Sequence, residues 1–351
     1  MKGEKLEGLQ ARYQVFDEVC AVPAGKFRRY HGQSLLAHLI DVKTLFLNGR
    51  DFFRVLRGIY SAKSQLKRIK PDVVFSKGGY VAVPVGIAAH QLGVPIITHD
   101  SDAVPGLANR IIGRWADIHA VGQPGENYDY PKASLRFTGI PVDERIKPVS
   151  KALQKDFKAE LGLPADSLAL LVSGGGLGSG RLNDLVTAAA PQLLKDNPEL
   201  CILLVAGQQH LETIQEHYAK IPEAQNRVRV MGFSPDFYKY SGAADLIITR
   251  AGATSLAEFA IQGKACVVLP AGQLAGGHQL ANVKPLKAAG AVEVLDDGVQ
   301  PDKLLSLLNG LLQNTQGREA LGAKLSAYGR PDAAKDLAGI ILETATAKAG
   351  V

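Results

Sequence analysis

The densest run of chemistry-bearing positions is Leu168–Asn183, LALLVSGGGLGSGRLN, where an apolar stretch meets Gly174, Gly175, Gly176, Gly178 and Gly180. Glycines between a strand and a helix permit a tight turn and let backbone N–H groups approach a phosphate at the helix N-terminus. The same glycines also serve a turn whose only purpose is close strand–helix packing. A second strand-to-helix junction is Thr249–Glu258, TRAGATSLAE. Gly252 makes the turn there, Thr254 or Ser255 can cap the helix, and Glu258 sits one turn inside. A carboxylate so placed can accept both hydroxyls of a ribose while the helix N-terminus faces a diphosphate. The alternative is a capping box, since Ser255 and Glu258 have its three-residue spacing. The third junction, Pro270–Asn282, reads PAGQLAGGHQLAN and opens a helix with His278, Gln279 and Asn282. Amides three residues apart share a helix face and suit the hydroxyls of a sugar, although a solvated helix face has the same pattern.

The first half offers Ser76–Pro84, SKGGYVAVP, with Gly78 and Gly79 directly after a strand, and Thr98–Asn109, THDSDAVPGLAN. His99, Asp100 and Asp102 fall at a strand end. A histidine beside carboxylates can deprotonate a hydroxyl nucleophile, and a histidine at a strand end can equally be structural. Three potential metal ligands within one loop, without a partner motif, are weak grounds for a metal site, and none is assigned.

These motifs need a parallel α/β scaffold, and the chain supplies its pattern of short apolar strands alternating with helices. Strands are predicted at Asp72–Phe75, Pro95–His99, Ile118–Val121 and Leu135–Phe137, with helices at Val83–Leu92 and Gly106–Trp115. A second series of strands follows at Leu168–Ser173, Cys201–Ala206, Val228–Met231, Leu246–Thr249, Cys266–Leu269 and Val292–Leu295. Its helices are Arg181–Leu194, His210–Ala219, Pro235–Ala243, Thr254–Gln262 and Gln279–Ala289. The break falls in a charged connector, Pro141–Lys155. The expected domains are therefore 1–145 and 156–325, with a tail helix over 333–348 packing back on the first. Two such domains facing one another would hold ligand between the C-terminal ends of their strands. The start departs from this scheme. Lys2–Gln10 reads as the end of a helix and Tyr13–Val22 as a strand, with no opening strand and glycine-rich turn before them.

The chain has 351 residues, more than a single core usually spans, and 46% hydrophobic with 21% charged residues, the balance of a folded globular protein. Cys20, Cys201 and Cys266 are too dispersed for a metal or redox motif, which suits buried thiols in a reducing compartment. No secretory signal is read. The apolar-leaning run Leu35–Leu47 is too short, and too interrupted by His38, Asp41 and Lys43, to span a bilayer. Forty Lys plus Arg against 34 Asp plus Glu leave a net charge of +6, concentrated between Lys26 and Lys70, where only Asp41 and Asp51 are acidic. Within it, Phe52, Phe53, Leu56, Ile59 and Tyr60 alternate with Arg50, Arg54, Arg57 and Lys63 at helical spacing. Basic and apolar side chains together suit an anionic membrane surface, or a half-buried helix with a solvated basic face. No nucleic-acid module is recognisable.

Taken in order, KPDVVFSKGGYVAVPVGIAA, HDSDAVPGLANR, GGGLGSGRLN, TRAGATSLAE and HQLAN closely resemble the MurG family over about residues 8 to 325. These are the peptidoglycan glycosyltransferases that add N-acetylglucosamine to lipid I at the inner membrane face. The resemblance implies a GT-B fold, two Rossmann-like domains with the donor held mainly by the second. It implies an inverting transfer from UDP-N-acetylglucosamine to the 4-hydroxyl of the lipid-linked muramyl acceptor, giving lipid II, with no cofactor beyond that substrate. Carried over by position, the Phe233 backbone meets the uracil. Ala253, Thr254 and Ser255 lie by the diphosphate, Leu256 and Ala257 belong to the same donor-binding turn, and Glu258 binds the ribose. Gln279, with His278 and Asn282 nearby, meets the sugar. Gly176 and Leu177 replace a usual serine and glutamine, with Ser179 as a partial substitute. Asp102 replaces an asparagine at the donor site. Asp143 replaces an arginine, so the resemblance implies that Asp143 turns away or that Arg145 takes over the diphosphate contact. Gly78 and Gly79, with Gly174, Gly175 and Gly178, form the phosphate and acceptor loops.

The family's opening strand and GGTGGH loop, source of its catalytic histidine, are not found, and the expectation is a first domain shortened at its N-terminus. His99 is then the remaining candidate base. The expected partners are the lipid-linked acceptor and, peripherally, the cytoplasmic face of the plasma membrane, with no nucleic acid. The rival readings are a non-catalytic UDP-sugar-binding remnant and another GT-B enzyme such as a UDP-sugar epimerase.

Overall fold

A computed structural model describes residues 16–25, 42–124, 126, 128–271 and 277–349. The expected helix end Lys2–Gln10, the basic residues Lys26, Arg28 and Arg29, and the centre of the glycine-rich loop at 272–276 lie outside the described residues. The chain divides into two compact units. The first comprises Met1–Asp100, Pro105–Phe137 and Leu337–Val351; the second comprises Ser101–Val104 and Thr138–Asp336.

Among the described residues the elements of the first unit are helix α1, Val42–Ile69, then β1 Val74–Ser76, α2 Ala82–Gln91, β2 Ile96–Asp100, α3 Leu107–Ile112, β3 Ile118–Val121 and β4 Leu135–Phe137. The four strands form one parallel sheet in the order β1-β2-β3-β4, with Ile97 paired to Phe75 on one side and Ile118 on the other. Every residue of β2 is buried, as a strand covered on both faces should be. Residues 16–25 carry no strand, which corrects the expectation for the described part of Tyr13–Val22. They follow α1 closely instead. A Cβ on Gly58 would lie 2.0 Å from the Pro23 carbonyl oxygen, and Glu18 is paired with Arg68.

The second unit runs α4 Lys151–Glu160, β5 Leu168–Ser173, α5 Gly180–Asp196, β6 Leu200–Val205, α6 Leu211–Tyr218, β7 Val228–Met231 and α7 Phe237–Ala243. It continues β8 Leu246–Thr249, α8 Ala253–Gln262, β9 Cys266–Val268, α9 His278–Ala288, β10 Glu293–Val294, α10 Pro301–Gln313 and α11 Thr315–Ser326. A last helix, α12, spans Ala333–Ala349. The six strands are parallel in the order β10-β9-β8-β5-β6-β7. Alternate strand residues feed two cores, one on each face of this sheet. Leu170, Val172, Ile202, Leu204 and Ile248 pack with Leu182, Leu185 and Leu304; Leu171, Leu203, Ile247 and Val268 pack with Leu256, Phe259 and Val283. Two-sided burial explains why these strands read as continuous apolar runs.

Three helices escaped the sequence reading. Lys151–Glu160 lies within and beyond the stretch taken as a connector, with Ser150 capping it by accepting from the Leu153 N–H. Pro301–Gln313 and Thr315–Ser326 bury Leu304, Leu308, Leu312, Leu321 and Leu325.

Candidate functional site

The order of the second sheet reverses between β5 and β8. From β5 the chain steps outward through β6 to β7, then returns to place β8 on the other side of β5. At such a reversal the loops leaving two adjacent strands diverge and open a crevice at their C-terminal ends. Those loops are Gly174–Gly178 after β5 and Arg250–Gly252 after β8, two of the three junctions singled out in the sequence.

The glycines of the first loop divide into two kinds. A Cβ on Gly174 would lie 2.4 Å from the Ser179 nitrogen, and one on Gly178 2.1 Å from the Ala206 carbonyl oxygen. Gly178 also has φ +76°, and Gly207, across from it, has φ +89°. These glycines let the loops after β5 and β6 touch backbone to backbone, so for them the packing reading holds. Gly175 and Gly176 are different, because a Cβ on either meets nothing within 4 Å. Asn183 braces the arrangement by donating from Nδ2 to the Ala206 carbonyl at 2.9 Å. Ser179 caps α5, its Oγ accepting from the Leu182 N–H at 3.4 Å. That capping bond already engages the side chain that was to offset the missing serine and glutamine.

The second loop delivers α8 with Gly252 as its N-cap and no side-chain capping bond. Thr254 and Ser255 therefore lie inside the first turn and neither caps it, so the capping box anticipated from Ser255 and Glu258 does not form. Leu256 is the first residue whose N–H reaches back, to the Gly252 carbonyl. The amides of Ala253, Thr254 and Ser255 thus form an uncapped positive helix end. Glu258, one turn on, has no hydrogen bond or ion pair among the described residues. Burial, reinforced by the nearby Asp143 carboxylate, raises its pKa to about 7.

Asp143 itself does not stand unopposed. Arg145 donates from Nε to Asp143 Oδ1 at 2.9 Å and from Nη2 to Oδ2 at 2.8 Å, and its Nη1 reaches Asp236 Oδ1 at 3.2 Å. The guanidinium lies 4.7 Å from the centre of the Tyr238 ring. This pairing pushes the Asp143 pKa down to about 2. Asp143 is neutralised by Arg145, and Arg145 is held by two carboxylates.

Helix α9 supplies the third junction, entered through Gly277 at φ +63°. Its two amides do different things. Gln279 is partly exposed, and its Oε1 accepts from the Ala271 N–H at 2.8 Å. Asn282 is fully buried. It donates from Nδ2 to Asp102 Oδ1 at 2.8 Å and to the Ala251 carbonyl at 3.1 Å, while its Oδ1 accepts from the Ala103 N–H at 2.8 Å. Asn282 is thus a tether that fixes Asp102 beside the β8 loop, which corrects the expectation that it faces a sugar. His278 stands near the tethered carboxylate, its Nδ1 3.8 Å from Asp102 Oδ2. Phe233, just past β7, is 63% exposed.

Arg250 and Asp297, for which the sequence motifs predict no role, line a cavity of about 360 Å³ with Gly174, Gly178, Ser179, Ala271 and Gln279. Arg250 donates from Nη1 to Asp297 Oδ1 at 2.9 Å and to the Leu269 carbonyl at 3.0 Å. The available signal was an arginine placed immediately after a strand at the reversal point.

In the first unit the expected base is corrected. The His99 side chain is fully buried within β2 and packs edge-on to Phe75, with ring centroids 6.5 Å apart. A general base must touch the hydroxyl it deprotonates, and an imidazole so covered does not. Asp100 accepts from Asn109 Nδ2 at 2.9 Å and from the Tyr130 hydroxyl at 2.8 Å, a structural clasp rather than metal ligation. No group of residues able to hold a metal ion occurs among the described residues. Gly78 and Gly79 both have φ +85°, so the turn after β1 depends on glycine, and Ser76 Oγ accepts from the Gly78 N–H at 3.1 Å.

Residues 169–337 match the glycosyltransferase family 28 C-terminal domain, and residues 25–121 the glycosyltransferase family 28 N-terminal domain. A Bacillus licheniformis protein named UDP-N-acetylglucosamine--N-acetylmuramyl-(pentapeptide) pyrophosphoryl-undecaprenol N-acetylglucosamine transferase is 30% identical over 302 residues, 86% of this chain and 81% of that one. Relatives of the same name from Desulfitobacterium hafniense strain Y51 and Acinetobacter baumannii strain SDF are 31% and 33% identical. They cover 97% and 92% of this chain and 89% and 87% of their own. The crystal structure of Acinetobacter baumannii MurG superposes with a TM-score of 0.67 at 32% identity, covering 84% of this chain and 79% of that one. A Staphylococcus aureus MnaA–UDP structure reaches 0.60 at 14% identity, with 81% and 79% covered, a likeness of fold alone. With two parallel-sheet units, both family 28 domains and relatives above 30% identity over most of its length, the chain belongs to the MurG family of glycosyltransferases and has the GT-B fold.

Proposed function

We propose that this protein transfers N-acetylglucosamine from UDP-N-acetylglucosamine to the 4-hydroxyl of a lipid-linked N-acetylmuramyl-pentapeptide acceptor, as an inverting hexosyltransferase of peptidoglycan synthesis. The observation that carries the donor half is Glu258: a carboxylate without a described partner, one turn inside a helix whose N-terminal amides no side chain caps. In this reading the ribose hydroxyls donate to Glu258, and the amides of Ala253, Thr254 and Ser255 meet the diphosphate. Leu256 and Ala257 carry the turn between them, and the Phe233 backbone faces the uracil. Gly175 and Gly176 give the phosphates backbone access. Gln279 reaches the sugar with its free amide nitrogen, and Asp102, held by Asn282, completes that end with His278. The leaving UDP is stabilised by backbone dipoles already in place. Arg145 reaches the diphosphate by exchanging a carboxylate for a phosphate oxygen.

The acceptor's lipid places the reaction at a membrane surface, on its cytoplasmic face in this reading. No described helix is long and apolar enough to cross a bilayer. Helix α1 instead exposes Phe52, Phe53, Leu56 and Tyr60, with Phe53 66% and Tyr60 81% accessible. Arg50 and Arg54 share the exposed stretch, while Asp51, Val55 and Ala62 face inward. Apolar side chains interleaved with arginines fit a shallow, peripheral contact with anionic headgroups.

The deciding experiment supplies radiolabelled UDP-N-acetylglucosamine with a lipid-linked muramyl acceptor and resolves the products. Label on the lipid supports the transfer. An epimerised free nucleotide sugar, or UDP-sugar binding with no product, would replace it with one of the rival readings.

A further inference from the structure

The second unit has a cationic cavity at the end of its sheet opposite the glycine loops. Ser167, Asp245 and Ala265 immediately precede β5, β8 and β9, and all three strands begin beside it. The cavity, about 540 Å³, is lined by Lys151, Lys155, Lys158, Lys264 and Arg318, against which stand two carboxylates among the described residues, Asp245 and Glu319. Its volume falls in the range usual for small-molecule sites.

Two of these cations are buried. Lys158 is 5% and Lys264 6% exposed. Lys158 donates from Nζ to Asp245 Oδ2 at 2.8 Å and to the Ser167 carbonyl at 2.7 Å. Asp245 also accepts from the Ala169 N–H at 2.8 Å and from Gln154 Nε2 at 3.1 Å, which leaves it little further capacity. Among the described residues Lys264 has no carboxylate hydrogen-bonded to it. Its Nζ donates to the Gly242 and Ala244 carbonyls at 2.6 and 3.1 Å. Burial accordingly draws its pKa down to about 8. Of the other cations, Arg318 donates to carbonyls at the end of α10, and Lys151 is paired with Glu319 at 2.6 Å. Lys155 is exposed.

Buried charge is costly unless it is matched. Five cations sharing two carboxylates around an open cavity leave a local excess that a compact, multiply charged anion would balance. We infer that this cavity is a second anion-binding site, separate from the crevice at the strand reversal, and that it takes a small molecule bearing a diphosphate group. An ammonium with an unused N–H, as on Lys158 and Lys264, offers a donor to each phosphate, and the exposed Lys155 adds a third ammonium to the cavity wall.

The test uses inorganic pyrophosphate as probe, titrated calorimetrically into the full chain already saturated with UDP so that the donor crevice is filled. One pyrophosphate per chain should still bind. The double variant Lys151→Gln/Lys155→Gln, which removes two exposed cations and no core contact, should weaken it at least tenfold while UDP affinity stays unchanged. In the unsubstituted chain carrying 13C-labelled lysine, pyrophosphate should move the Lys264 titration upward, because a nearby anion favours the charged ammonium. Absence of binding under saturating UDP, equal affinity in the double variant, or an unmoved Lys264 titration would each overturn the inference.

Discussion

At the scale of single residues, Glu258 ties ligand recognition to pH. Its folded pKa of about 7 lies above the ordinary glutamate value of 4.5. A group raised in this way contributes stability that is fully present below about pH 4.5 and is lost as pH rises through about 7. Glu258→Gln should remove that dependence, so thermal melts of the variant should gain on the parent between pH 5 and 8, by about 2 kcal/mol after allowing for partial solvent access. The same variant should weaken UDP binding by roughly 10- to 100-fold, the scale of hydrogen bonds to a charged group. Calorimetry showing equal UDP affinity would remove Glu258 from the ribose site.

The glycines allow a paired test. Gly178→Ala places a Cβ 2.1 Å from the Ala206 carbonyl oxygen at φ +76° and should cost about 3 kcal/mol in denaturant unfolding. Gly176→Ser has open space and an ordinary φ. It should leave stability within about 0.5 kcal/mol and tighten UDP-sugar binding by restoring a side-chain donor. A large loss of stability in Gly176→Ser would show that the loop's outer half is packed rather than open.

At the scale of elements, α8 and α9 act as a pair through Asn282. Asn282→Ala strips Asp102, Ala103 and Ala251 of their partner inside a buried space, and should destabilise the second unit by about 2–3 kcal/mol. If Asp102 faces the sugar, the variant should weaken UDP-N-acetylglucosamine more than UDP. Equal effects on both ligands would confine Asn282 to a structural role. Helix α1 has its own test in cosedimentation with anionic vesicles. Phe53→Ser combined with Tyr60→Ser should release the protein, and Arg54→Glu should both weaken binding and flatten its salt dependence, each surface cation contributing about 1 kcal/mol. Binding unchanged in both variants would return α1 to a plain solvated helix.

For the whole molecule, the two units bury separate apolar clusters, Ala89, Val94 and Ile96 in the first and the two faces of the six-stranded sheet in the second. A ligand that binds one folded unit stabilises that unit by mass action, about 2.7 kcal/mol at a hundredfold excess over Kd. UDP should therefore slow hydrogen exchange in β5, β8 and α8 and leave β1 to β4 nearly unchanged. Equal protection of both sheets would move the nucleotide away from the second unit.

What the sequence alone determined was the alternation of elements. Leu168–Ser173 and Leu246–Thr249 were legible to the residue because strands covered on both faces are almost wholly apolar, and the half-buried edge strand Val228–Met231 because Val228 and Val230 alternate with Arg229. The junction glycines marked where those strands turn. The helices at Lys151–Glu160, Pro301–Gln313 and Thr315–Ser326 were missed because each buries only a narrow stripe and lacks a motif that would single it out. Tertiary structure alone decided what each polar residue does. Asn282 and Gln279 look alike three residues apart, yet one is sealed around Asp102 and the other opens to the cavity. His99 reads as a base until folding buries its ring and sets Phe75 against it. Gly175 and Gly178 share a loop, but only Gly178 meets Ala206. Spacing fixes which helix face or strand side a residue occupies, whereas burial, pairing and proton affinity depend on groups far away in the chain that folding brings alongside.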